Sequence, residues 1–151
     1  MMPTAFLDRL EKAYAEDAWQ ALVDSIPYAA YLGLVVDDSH DEMRLRMPFR
    51  EDLVGNPTLS ALHGGVIGAF LETTAMMSLL WKLKSPLLPK TVTVTVDYLR
   101  SSRREDIFAA GEVTKLGRRV ASVRVVAWSR NRQRPIGETR THFLVAEGGK
   151  P

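Results

Sequence analysis

The chain has 151 residues and no cysteine, which excludes disulfides, thiolate metal sites and a cysteine nucleophile. Its histidines are only His40, His63 and His142. They show no metal-ligand spacing, so a metal is not expected. A large excess of one charge is also missing, with 20 Lys and Arg against 18 Asp and Glu. The arginines do cluster, as Arg100, Arg103, Arg104, then Lys115, Arg118, Arg119, then Arg130, Arg132, Arg134. No stacking aromatics are interleaved with them, so nucleic acid is not expected. The clusters read either as solvated turns between strands or as a basic rim facing a phosphate-bearing ligand. Long apolar runs are scarce. Asp8, Arg9, Glu11, Lys12, Glu16, Asp17 and Asp24 interrupt any signal-peptide core, and the longest run, Val66–Trp81, is short for a bilayer and contains Glu72. The expectation is one cytoplasmic domain over residues 1–151, not membrane-bound, with an N-terminal helical segment through residue 26 and a frayed tail at 147–151.

What is present is ordered by period. Phe6, Leu7, Leu10, Tyr14, Ala18, Ala21 and Leu22 predict a helix over 4–24. Strands are predicted at 32–37 and 42–49, an irregular segment at 50–62, and a long helix at about 64–83, ended by the break at Ser85-Pro86. Four further strands follow at 91–99, 106–116, 119–129 and 136–146, joined by short turns. Strands so connected imply an antiparallel sheet with helices gathered on one face, an α+β arrangement.

Between His63 and Trp81 the sole ionisable side chain is Glu72. An isolated buried carboxylate costs several kcal/mol unless it is bonded, paired or neutral. At 100° per residue, Gly65, Gly68, Ala69, Ala75, Met76 and Leu79 fall within about 60° of Glu72, while Ile67, Phe70, Met77 and Trp81 lie opposite. Most of the residues around the carboxylate are therefore small, leaving room for another backbone or a ligand. His63-Gly64-Gly65 stands at the helix start, where uncovered N–H groups and the helix dipole favour negative charge. Such donors can hold an oxyanion, and a carboxylate on the same helix can act as nucleophile or base, which fits acyl transfer to water. A structural reading fits the same residues: the glycines form a tight turn, and Glu72 bonds a neighbouring loop.

The stretch G-N-P-T-L-S-A-L-H-G-G-V-I-G-A-F-L-E-T-T-A resembles the signature of the hotdog-fold acyl-CoA thioesterases, and within them the phenylacetate-pathway (PaaI-like) and 4-hydroxybenzoyl-CoA thioesterase groups. I-P-Y-A-A-Y-L-G-L, D-Y-L-R and L-G-R-R-V-A are similar as well. The resemblance implies a long helix wrapped by a five- or six-stranded antiparallel sheet. It also implies homodimers, often paired as dimers of dimers, with active sites between subunits. By it Glu72 is the catalytic acid, Gly64 the oxyanion donor beside His63 and Gly65, Asn56 an orienting amide and Thr91 a nearby hydroxyl. The resemblance implies no resident cofactor: coenzyme A would arrive as part of the substrate, its phosphates held by Arg100, Ser102, Arg103, Lys115, Arg118 and Arg119. The chain departs from that pattern in the seven-residue spacing from Asn56 to His63 and in Met76, where one branch places threonine. Two other activities share the fold: acyl-CoA binding without turnover, and hydration of an enoyl thioester.

Overall fold

The computed structural model describes residues 4–37 and 40–145; the tail predicted to fray lies outside them. In chain order, α1 (Thr4–Glu16), α2 (Trp19–Asp24) and α3 (Pro27–Leu32) precede β1 (Val35–Asp37) and β2 (Arg44–Met47). A 3-10 turn (Glu51–Leu53) and a small hairpin, β3 (Val54–Asn56) and β4 (Ala61–Leu62), lead into α4 (Gly64–Leu83). The chain then runs through β5 (Lys90–Tyr98), β6 (Ile107–Leu116), β7 (Val120–Trp128) and β8 (Gly137–Leu144). Six strands form one antiparallel sheet in the order β1-β2-β6-β7-β8-β5. α4 lies across it, as the resemblance to hotdog folds implies.

By length and composition α4 could cross a membrane, but here it is the core helix. Its Ile67, Phe70, Leu71, Ala75, Met77, Leu79 and Leu80 are buried with Leu45, Ala109, Val123, Val125 and Phe143 of the sheet. Each large side chain so buried contributes about 1.5–3 kcal/mol. The polar members of this face are satisfied locally, Thr74 Oγ1 donating to the Phe70 carbonyl at 2.8 Å and Ser78 Oγ to that of Thr74 at 2.7 Å. A side chain on Gly111 would collide with Ser78, its Cβ falling 2.8 Å from Ser78 Cβ. Glycine there lets β6 run hard against the helix.

The predicted N-terminal helix is broken rather than continuous. Asp17 takes φ 57° between α1 and α2, and Pro27 begins α3 at its first turn instead of only closing what precedes it. Proline lacks an N–H and has a fixed φ, which suits a first helical position. α3 ends on Gly33 at φ 69°, so β1 starts at Val35 rather than at residue 32. Residues 50–62 contain the 3-10 turn and hairpin instead of irregular chain.

Register gives the sheet two ends. Tyr98 pairs with Gly137, Gly137 with Ala127, and Trp128 with Phe108 at one end; Lys90 and Val120 both pair with Leu144 at the other. The loops 99–106 and 129–136 therefore meet at the first end. The turn 117–119 lies at the second, about 27 Å away at 3.4 Å per residue along β7.

The 129–136 loop is stapled to the hairpin of β1 and β2. Glu42 receives Arg132 through both guanidinium nitrogens, at 2.7 and 3.1 Å, and Arg44 at 2.7 Å. Arg44 and Arg132 lie over the Trp128 ring at 5.2 and 4.7 Å. Burial raises the Glu42 carboxyl, but the bonds and charges of Arg132 and Arg44 outweigh it and hold the group below the usual glutamate range. Its stabilisation is therefore present above the unfolded-state value, near ~4.3, and disappears as pH falls through the lower folded value. Glu42→Gln is expected to lower the melting temperature at pH 7, and the gap from wild type to narrow steadily below about pH 4. Thermal denaturation across pH measures this; a gap that stays constant to pH 2 contradicts the staple.

Candidate active site

The start of α4 is fixed from three sides. His63 precedes the helix in extended conformation, and its Nδ1 accepts the Gly65 N–H at 2.9 Å. The ring thus caps the helix with its other nitrogen carrying the hydrogen. The His63 carbonyl accepts the N–H groups of Val66 and Ile67 at 3.0 and 3.2 Å. Gly55 of β3 backs directly on His63: a Cβ there would fall 2.6 Å from His63 Cα. On the third side, Tyr98 at the end of β5 donates its hydroxyl to the Gly64 carbonyl at 2.8 Å, and its ring lies over Gly64.

These contacts satisfy the N–H groups of Gly65, Val66 and Ile67 and leave that of Gly64 without an acceptor among the described residues. Gly64 lines a cleft of about 330 Å³ together with Leu62, Ile67, Tyr98, Leu99 and Arg100. A free donor at a helix N-terminus is suited to a carbonyl oxygen that gains charge.

Glu72 lies two turns further on, half-buried, and among the described residues it has no hydrogen bond and no ion pair. The structural reading required a neighbouring loop to bond it, and no described group does so. The accessible stripe of α4 contains Gly65, Gly68, Ala69, Glu72, Thr73 and Met76, whereas Ala75 and Leu79 are fully buried. The stripe is narrower than the helical angles alone predict because the sheet covers one flank. The Tyr98 hydroxyl lies 3.5 Å from where a Gly68 Cβ would stand, one turn before Glu72.

The other residues singled out by resemblance are dispersed. Asn56 is exposed on β3, its side-chain oxygen accepting the Leu59 N–H at 3.2 Å. Ser102 is buried and its hydroxyl accepts the Leu62 N–H at 3.1 Å, tying the 99–106 loop to β4. Thr91 is exposed at the start of β5, seven residues and about 23 Å of strand from Tyr98. Arg100 and Arg103 stand in the loop beside Gly64, while Lys115, Arg118 and Arg119 are exposed around the turn at the far end. Within one protomer the six supposed phosphate contacts are therefore not one patch. Tyr98 and Gly55 were not identified from sequence. The signal for Tyr98 was an aromatic closing an alternating valine-threonine strand, and its meaning depends on which helix residues face it.

The profile of the thioesterase superfamily matches residues 59–136, which include His63, Gly64, Glu72 and Tyr98. A Halobacterium salinarum protein provisionally named an esterase is 32% identical over 102 residues, 65% of this chain and 67% of its own. A crystal structure of a Chromobacterium violaceum protein is 36% identical with a TM-score of 0.78, covering 94% of this chain and 99% of the other. Mouse thioesterase superfamily member 2, at 16% identity and a TM-score of 0.72 over 86% and 96% of the two chains, shares the fold. On this evidence the chain belongs to the thioesterase superfamily and has the hotdog fold, and its relatives support a hydrolase of thioester or ester bonds.

Proposed function

We propose that the chain hydrolyses an acyl-CoA thioester to the free acid and coenzyme A. The observation that carries this reading is a half-buried carboxylate with no protein partner on the helix whose first N–H is also free. The thioester oxygen takes the Gly64 N–H, aided by the helix dipole, as the carbonyl carbon becomes tetrahedral. Glu72 either attacks that carbon or takes a proton from the water that does. The C–S bond then breaks, the sulfur leaves as thiolate and acquires a proton, and water supplies the oxygen of the acid.

One helix cannot do this alone. Eight residues separate Gly64 from Glu72, about 12 Å along the axis at 1.5 Å per residue, further than a glutamate side chain spans. A site shared by two copies resolves the distance, the donor coming from one and the carboxylate from the other. The free edge of β5 is suited to such pairing: it is nine residues long and exposed over most of its length, with Val92 at 63%. Two such edges can pair antiparallel about a two-fold axis, and a register centred between Val94 and Thr95 would set each Thr91 opposite Tyr98 of the other copy.

Glu72→Gln removes both the nucleophile and the base. Thiol release from a panel of acyl-CoAs is expected to drop at least 100-fold in kcat, with KM changing little. Wild-type rates in the variant overturn the role of Glu72, and absence of thiol release from every acyl-CoA by the wild type overturns the activity. Val92→Glu on the β5 edge is expected to shift the protein toward monomer in sedimentation and to make activity per protomer fall on dilution. A monomeric variant with full activity excludes the shared site.

A further inference from the structure

The first end of the sheet holds a second concavity, about 410 Å³, walled by the loops 99–106 and 129–136. Arg100, Arg103, Arg130 and Arg134 line it with a single carboxylate, Glu105. Glu105 pairs with Arg130. Arg100 donates one guanidinium hydrogen to the Pro135 carbonyl at 2.8 Å. The side chains of Arg103 and Arg134 have no partner among the described residues. Four guanidinium groups around one cavity repel one another, and one carboxylate compensates only part of that charge.

The walls are built rather than loosely apposed. The Ile136 carbonyl accepts the N–H groups of both Leu99 and Arg100, at 2.9 and 3.0 Å. The Glu42–Arg132 staple anchors the far side of the 129–136 loop, and the buried Ser102 anchors the 99–106 loop beside His63. Arg100 and Ser101 line both this cavity and the cleft beside Gly64, so the two are neighbours.

We propose that this cavity binds the phosphate groups of the thiol carrier, with Arg130 and Arg134 of the β7–β8 loop as the residues that select a phosphorylated thioester over a phosphate-free one. The inference rests on thioester hydrolysis at Gly64 and Glu72, and it differs from the residues expected by resemblance. The cationic partners of Arg100 and Arg103 within one chain come from 129–136, whereas Arg118 and Arg119 are at the opposite end of the sheet. Guanidinium groups suit phosphate because each offers two parallel donors in a plane.

The test compares kcat/KM for an acyl-CoA with that for the same acyl group on N-acetylcysteamine, which has no phosphate. In the Arg130→Ala/Arg134→Ala variant the ratio is expected to fall about tenfold or more, for the loss of charge-assisted bonds. Calorimetry with adenosine 3′,5′-bisphosphate is expected to show a matching loss of affinity, and the wild-type affinity is expected to weaken as salt rises. An unchanged ratio with unchanged bisphosphate affinity overturns the proposal, as does a larger fall in an Arg118→Ala/Arg119→Ala variant. If the wild type hydrolyses neither thioester, the activity reading fails, and bisphosphate binding alone decides the cavity.

Discussion

A twenty-residue helix that is apolar on nearly every side has to be covered, and much of the architecture follows from covering α4. The sheet does most of this, and close contact is what makes it effective, with Gly111 giving β6 the clearance to pass Ser78. The N-terminal helices close another side: Tyr14 of α1 donates its hydroxyl to the Leu80 and Ser85 carbonyls at the end of α4, at 2.9 and 3.0 Å. What remains open is one narrow stripe of small residues with a carboxylate in it. Glu72 belongs to the part of the core helix that the chain's own sheet and helices leave uncovered.

The same economy governs the polar groups. The first turn of α4 is capped by the imidazole and carbonyl of its own preceding residue, so the donors are satisfied selectively rather than all together. Tyr98 and Gly55 hold that turn from opposite sides. The loops beyond it are joined to each other through Ile136 and to the neighbouring hairpin through Glu42. A donor fixed in this way costs little reorganisation when charge develops on a bound oxygen.

Much of this was legible in the residues. α4 and the last four strands stand close to their predicted limits, because long periodic segments bounded by Pro, Gly and Arg-rich turns leave little ambiguity. Glu72 stood out because a lone charge in an apolar run is costly. The short N-terminal elements were not legible: the break at Asp17 depends on a positive φ that composition does not announce, and Pro27 reads equally as an end or a beginning. Which arginines share one end of the sheet was not legible either, for a topological reason. Arg118 is nearer in sequence to Arg103 than Arg130 is, but antiparallel strands return the chain to the same end only at every second turn.

β5 has a further consequence. From Thr91 to Val96 it alternates threonine and valine with no charge, proline or glycine, flanked by Lys90 and Asp97. Such a segment has high β-propensity and an open row of backbone donors and acceptors, and it pairs with whatever compatible strand it meets. The lysine and aspartate at its ends act as the only local gatekeepers. A protomer without a partner on this edge is therefore an aggregation hazard, and the solubility of the protein is tied to how completely that strand is occupied.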